Sequence, residues 1–170
     1  MSQFKRVLPE ELTGDFVKKI HGEWALLTAA KPDGSYNTMT VSWGGVGVLW
    51  NTTVCFVFVR PQRYTHEFTE AGDKMTLTFF PKEYKDALKY CGKMSGRDVN
   101  KAKECGLTPV SENGFHFFAE AKEVLALRKL CVTELTEDTI LEPAISPVFY
   151  EKKDYHTMYI CEIVAAAKTV

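Results

Sequence analysis

Three stretches of the chain carry side chains able to do chemistry. The first is Arg60-Pro61-Gln62-Arg63-Tyr64-Thr65-His66-Glu67-Phe68, where two arginines and a threonine stand at the mouth of a predicted helix. The first turn of a helix leaves backbone N–H groups unpaired and carries the positive end of the helix dipole, so an anion is favoured there. Thr65 adds a hydroxyl donor, and Arg63 or Arg60 can clamp a phosphate through two parallel hydrogen bonds. The same residues also read as an ordinary N-cap threonine beside solvated arginines.

The second stretch is Cys91-Gly92-Lys93-Met94-Ser95-Gly96-Arg97-Asp98, continuing to Lys101. Small and basic residues lie here between two helical segments, and Ser95-x-x-Asp98 resembles a capping box. It reads either as a joint between helices or as a loop presenting amides and positive charge to a phosphate or a partner chain. In the third, Thr38, Thr40 and Ser42 alternate with Met39, Val41 and Trp43 just before Gly44-Gly45. Alternate hydroxyls are the wet face of a strand, or they hydrogen-bond a flat heteroaromatic ligand that the glycines allow to approach closely. Trp43 and Trp50 could stack on such a ring.

Other chemistries have no local signature. His21, His66, His116 and His156 are scattered, with no H-E-x-x-H and no cysteine pairs at metal spacing, so no metal is expected. There is no G-x-S-x-G, no phosphate-binding G-x-x-x-x-G-K-[ST] and no G-x-G-x-x-G. Cys91, near the end of a predicted helix, is poorly placed for a lowered pKa. With 21 Lys+Arg against 22 Asp+Glu the net charge is −1, so attraction for phosphate must be local, and neither a basic stripe nor an RNA-binding strand motif is present. No nucleic-acid partner is expected.

The elements that must position these groups follow from periodicity. The 170 residues, 45% hydrophobic and 25% charged, suffice for one domain spanning 1–170. A helix is predicted over 9–20, ended by Gly22, then a hairpin of strands 24–30 and 36–43 across Lys31-Pro32-Asp33-Gly34-Ser35. The run 54–59 predicts a strand buried on both faces. Further predictions are a helix over 64–71 ended by Gly72, a strand over 74–80, helices over 84–91 and 98–105, one or two strands within 115–135, and a last strand over 155–166. Strands with short inserted helices, without regular alternation, point to an antiparallel barrel, a mainly β fold. Met1-Ser2-Gln3-Phe4-Lys5-Arg6 precedes no apolar stretch of signal-peptide length, and the run 54–59 is too short to span a bilayer. Five widely spaced cysteines fit reduced thiols, so a soluble, cytoplasmic protein with no membrane partner is expected.

Asn37-Thr38-Met39-Thr40-Val41-Ser42-Trp43, Arg60-Pro61-x-Arg63-Tyr64-Thr65 and Cys91-Gly92-x-x-Ser95-Gly96-Arg97 with Lys101, taken in order and with His156 in the closing strand, resemble the flavin reductase-like family. The resemblance implies a Greek-key FMN-binding split β-barrel that forms a homodimer with FMN near the subunit interface. By the same resemblance Met39, Thr40, Val41, Ser42 and Trp43 lie along the isoalloxazine, through backbone groups and the Thr40 and Ser42 hydroxyls. Arg60, Tyr64 and Thr65 hold the ribityl phosphate, Ser95, Arg97 and Lys101 form a second anion-binding group, and His156 stands on the nicotinamide side. The implied activity is hydride transfer from NADH or NADPH to flavin, with free flavin, ferric iron, a quinone or a partner protein as electron acceptor. The alternatives are a flavoredoxin-like electron carrier without direct NAD(P)H use, and a non-catalytic split-barrel dimer.

Overall fold

The structure is a computed structural model and describes residues 4–170, so the part of the N-terminal reading that rests on residues 1–3 lies outside it. The strands are β1 (Phe4–Val7), β2 (Ala25–Ala30), β3 (Tyr36–Val41), β4 (Gly45–Leu49), β5 (Thr52–Val59), β6 (Lys74–Phe79), β7 (Pro109–Glu112), β8 (Phe115–Phe118), β9 (Glu123–Glu134) and β10 (Thr157–Thr169). Between them lie short helices α1 (Glu10–Thr13), α2 (Phe16–Lys18), α3 (Tyr64–Ala71), α4 (Lys85–Lys93), α5 (Lys101–Glu104) and α6 (Ile145–Phe149). One antiparallel sheet runs in the order β3-β2-β6-β9-β10-β5-β4, with β1 added to β10. The hairpins β2–β3 and β4–β5 are local, β9 and β10 pair across the long connection 135–156 that carries α6, and β6 follows β5 in sequence but is separated from it by β9 and β10, a Greek-key connection. This is the split barrel.

Alternation along the strands builds the core. Ala25, Leu27 and Ala29 of β2 point inward with Met39, Val41, Cys55, Val57, Val59, Met75, Leu77, Phe79, Leu125, Leu127, Tyr159 and Cys161, while Phe16 and Phe68 close the ends. A second apolar layer lies outside the barrel, where Leu26 and Val124 meet Leu88, Cys91, Ala102 and Phe118 beneath α4, α5 and β8. Hence the strand buried along its whole length is β2, not β5. Phe56 and Phe58 of β5 are only half-buried, because the second layer covers the other side of the barrel.

Several expected boundaries move. The predicted helix over 9–20 is two single turns followed by a π-helical turn at Lys19–Glu23, broken by Gly14 and Asp15. Strand β3 ends at Val41, so Trp43 leaves the face it would share with Met39 and is 47% exposed. The helix expected over 98–105 is the single turn α5, capped by Asn100, whose Oδ1 accepts from the Lys103 N–H; Ser95 instead accepts from the Arg97 N–H. The stretch 115–135 divides into β8 and β9, and the last strand runs on to Thr169. Strands β1, β4 and β7 and helix α6 were not predicted.

Candidate functional site

At the N-terminus of α3 the cap residue Arg63 is extended and offers no side-chain cap to the first turn. Thr65 is the second helical residue and 1% exposed; its hydroxyl accepts from Asn37 Nδ2 at 2.8 Å, leaving its own proton for another acceptor. A recess of about 170 Å³ opens here, lined by Arg63, Tyr64, Thr65, Lys93, Ser95 and Lys101.

Two cations in this recess, Arg63 and Lys101, lack anions though both are at least half-buried. The Arg63 side chain has no hydrogen-bond or ion-pair partner among the described residues, and burial, then Arg60, push its pKa down. Lys101, 5% exposed, donates to the carbonyls of Thr38 and Cys91, both at 2.8 Å. Burial lowers the Lys101 ammonium to about 8, and Arg63 adds to the effect. Buried positive charge without a carboxylate is costly to hold, and a bound anion removes the cost.

The loop 95–97 closes over the recess. A Cβ on Gly96 would lie 1.9 Å from Asn37 Oδ1, so only glycine lets the loop pass over the amide that holds Thr65. Arg97 pairs with Glu67 at 2.6 Å and stacks on Tyr64, its Cζ 4.7 Å from the ring centre. Its charge is thus partly spent. On the far side of the loop a cleft of about 560 Å³ is lined by Tyr36, Asn37, Thr38, Arg97 and Lys101.

Arg60 lies in a different constellation. Its Nη1 bonds Asp154 at 2.7 Å, its Nη2 donates to the Phe149 carbonyl at 2.8 Å, and its guanidinium covers the Tyr150 ring. The structure therefore brings Arg63 to the recess together with Tyr64, Thr65, Ser95 and Lys101, and commits Arg60 to the chain before β10. Sequence reading offered either arginine as a phosphate clamp and the family resemblance chose Arg60; Arg63 lines the recess instead, because Asp154 holds Arg60 away from it, and the signal for Arg63 was that it directly abuts the helix. Lys93 and Asn37 were missed as lining residues, although both stand in the quoted motifs.

Strand β3 connects this recess to a second group of residues. As the terminal strand of the sheet, its outer backbone edge has no strand partner among the described residues. Met39 and Val41 point their side chains into the barrel. The Thr38 hydroxyl donates to the Leu27 carbonyl and accepts from Thr28, and the Thr40 hydroxyl donates to the Leu88 carbonyl of α4. The hydroxyl face is thus an interior face. Ser42 is half-buried beyond the cover of α4. Gly44, at φ 152°, would place a Cβ 2.9 Å from the Phe56 carbonyl, so glycine is required for the chain to turn into β4.

Beyond Ser42, Trp43 stands with its ring centre 5.3 Å from that of His156 and 5.6 Å from that of Phe149. His156 is 7% exposed, and its Nδ1 is 2.8 Å from the Tyr150 hydroxyl. Burial, then Arg60, lower its pKa to about 4, so the ring is neutral at pH 7. Three strand steps, roughly 10 Å, separate Thr38, at Lys101, from Val41, and Ser42 and Trp43 follow beyond the end of the strand. The arrangement can hold an elongated ligand: an anionic end in the recess, a flat end along the backbone edge of β3, and aromatic and imidazole groups beside it. Trp50, 60% exposed in the β4–β5 turn, belongs to neither group.

Among the described residues no cluster of His, Cys, Asp and Glu could hold a metal ion, and no helix is long and apolar enough to cross a membrane. Burial raises the Cys91 thiol to about 12.

The fold is thus a split barrel with a cation-lined recess beside an open strand edge. A family model described as "Flavin reductase like domain" matches residues 17–168, and the chain belongs to that family. Among solved structures it is similar to an FMN-binding domain of a flavin reductases-like enzyme from Shewanella baltica OS155, with 18% identity over 98% of this chain and 77% of that one and a TM-score of 0.68. The flavoredoxin of Desulfovibrio vulgaris (Miyazaki F) aligns at 19% identity over 86% of this chain and 69% of that one, TM-score 0.66. The styrene monooxygenase flavin reductase of Pseudomonas putida S12 aligns at 14% identity over 86% and 80%, TM-score 0.60. A search of the curated proteins returned no match.

Proposed function

We propose that the protein is an FMN-binding oxidoreductase, a cytoplasmic homodimeric flavin reductase taking electrons from NADH or NADPH. The observation that carries this reading is the pair of unneutralised cations, Arg63 and Lys101, at one end of β3, with Trp43 and neutral His156 at the other. The fit to FMN is chemical. Its phosphate suits the recess, where Arg63, Lys93 and Lys101 supply charge and Thr65 and the first-turn amides of α3 supply donors. The heteroaromatic edge of the flavin suits the backbone on the open edge of β3 and at Ser42 just beyond it.

Bound FMN supplies the hydride-accepting ring system. The residues of this chain do the remainder. Arg63 and Lys101 fix the anionic end, and the β3 edge sets the position of the flat end. Backbone donors there favour negative charge developing on the ring. Neutral His156 and Trp43 flank the space where a nicotinamide would stack. No general acid or nucleophile is needed for hydride transfer, in keeping with thiols that burial holds protonated. The family and the flavin-protein neighbours support the flavin-binding part of this reading.

A second reading is favoured by a specific surface. Trp43 and Phe149, 47% and 44% exposed, adjoin Val148 at 70%, an apolar patch beside His156 on which an electron-donating protein could dock. Such a flavoredoxin-like carrier would use the same FMN site without pyridine nucleotide. The experiment that separates the two is anaerobic stopped-flow absorbance in the flavin band after reconstitution with FMN. Bleaching by NADH or NADPH supports the reductase; bound flavin that stays oxidised supports the carrier; failure to bind FMN overturns both.

A further inference from the structure

Tyr150 belongs to none of the motifs above, yet it is 6% exposed and makes one side-chain hydrogen bond among the described residues, to His156 Nδ1 at 2.8 Å. The segment that carries it is braced on both sides. Arg60 donates to the Phe149 carbonyl and to Asp154, covers the Tyr150 ring at 5.3 Å, and shares Asp154 with Gln62. Tyr155 stacks on the same ring with centres 4.7 Å apart. A tyrosine held this firmly presents its hydroxyl to His156 in one geometry.

The direction of that hydrogen bond follows from hydrogen-bond accounting. A neutral imidazole has one N–H and one bare nitrogen. If Nδ1 carried the proton, the Tyr150 hydroxyl would only accept, and its own proton would be buried without an acceptor, at a cost of about 1–3 kcal/mol. If Nδ1 is bare, the phenol donates to it and both groups are satisfied. Burial raises the Tyr150 pKa, so the phenol keeps its proton. Nε2 then carries the ring proton, and it has no partner among the described residues, with the half-exposed Trp43 indole alongside.

We propose that Tyr150 is a positioning residue for His156: it donates to Nδ1, fixes the ring proton on Nε2, and makes that N–H a donor toward a neutral carbonyl oxygen of the molecule stacked beside Trp43. Reduced nicotinamide, through its carboxamide, is such a molecule. Only the identity of this acceptor rests on the proposed function; the tautomer is a property of the chain alone.

The test is ¹⁵N NMR of the imidazole nitrogens in flavin-free protein at neutral pH, with the His156 signals assigned by their loss in His156→Gln. The expected result is a protonated Nε2 and a bare Nδ1 in the wild type, moving toward a mixture of tautomers in Tyr150→Phe while the His66 signals stay in place. A bare Nε2 in the wild type overturns the proposal, and this arm needs no variant to fold. An unchanged tautomer ratio in a folded Tyr150→Phe overturns it equally. With FMN bound and NADH or NADPH added, Tyr150→Phe and His156→Gln should each slow flavin reduction roughly tenfold, the worth of one hydrogen bond, with the double variant no slower than either. A protein that ignores pyridine nucleotides refutes the reductase reading and leaves the tautomer result standing.

Discussion

Replacing Arg63 by alanine should weaken FMN binding without weakening the fold. The guanidinium lines the recess at the N-terminus of α3, half-buried, with Arg60 and Lys101 as its charged neighbours and no carboxylate among its described contacts. In the free protein it is therefore a source of like-charge repulsion. Its removal should leave the unfolding free energy unchanged or raise it by up to about 0.5 kcal/mol, the usual scale for partly solvated charges. Toward a phosphate the same group contributes charge-assisted hydrogen bonds worth about 1.5–3 kcal/mol. That converts to a Kd for FMN roughly 10- to 150-fold higher. The assay is quenching of flavin fluorescence on titration with protein, run in parallel with riboflavin, which has the same ring and no phosphate. Riboflavin affinity should stay within about threefold of wild type. Arg60→Ala provides the contrast, since that arginine braces Asp154 and the Phe149 carbonyl. It should lower Tm while changing FMN affinity less than Arg63→Ala does. Equal loss of FMN and riboflavin in Arg63→Ala, or a larger FMN loss in Arg60→Ala, would refute the assignment of the recess to phosphate.

Gly96→Ala should cost both stability and FMN affinity, because the added methyl collides with Asn37 Oδ1 and displaces the amide that holds Thr65; about 1–3 kcal/mol in denaturant unfolding is expected, and an unchanged midpoint would count against the packing described. Lys101 should make FMN binding pH-dependent. With its free-protein ammonium lowered to about 8 and a bound phosphate favouring the charged form, affinity falls above pH 8; isothermal titration across pH 7–9.5, above the range where the phosphate itself titrates, checks this, and Lys101→Met should abolish the slope. The sign for the fold is opposite. Between about pH 8 and the ordinary lysine range the unfolded chain binds more protons, so flavin-free protein gains stability as pH rises. His156, lowered to about 4, acts at the other end of the scale: from its ordinary range down to about pH 4 the unfolded chain again binds more protons, so stability falls on acidification. Tm should drop over that interval, and by less in His156→Gln.

Local rules made much of the scaffold legible. The helix over 64–71 matches α3, since Arg63 precedes its amphipathic turns and Gly72 follows them, where a Cβ would lie 2.2 Å from the Ala30 carbonyl. The hairpin across Lys31–Ser35 matched because Asp33 and Gly34 make the turn, Asp33 accepting from the Ser35 N–H and Gly34 sitting at φ 85°. Strand β7 was missed even though Asn113-Gly114, with φ 54° and 79°, carries a strong two-residue hairpin signal. Strand β4 carried less. Gly45 and Gly47 have no side chains to show alternation, and the turn after it is Trp50-Asn51, at φ 52° and 56° without glycine. Helix α6 spans five residues with a proline inside, and nothing in its pattern marks it.

By itself the sequence determined the residue types at the site, because motifs of basic, hydroxyl and glycine residues state which chemistry is available wherever they end up. It also determined that the fold is a mainly β barrel, because alternation and turn residues act within a few positions. The tertiary structure alone decided which groups are free to act. Arg60 and Arg63 are three residues apart and equivalent in chemistry; a carboxylate at Asp154, 94 residues from Arg60, takes one and leaves the other without a side-chain partner among the described residues. Thr40 reads as a ligand-facing hydroxyl until α4 packs on β3 and the Leu88 carbonyl accepts its proton. Whether a polar group faces solvent, ligand or a neighbouring strand depends on what long-range packing places opposite it, and no local pattern holds that information.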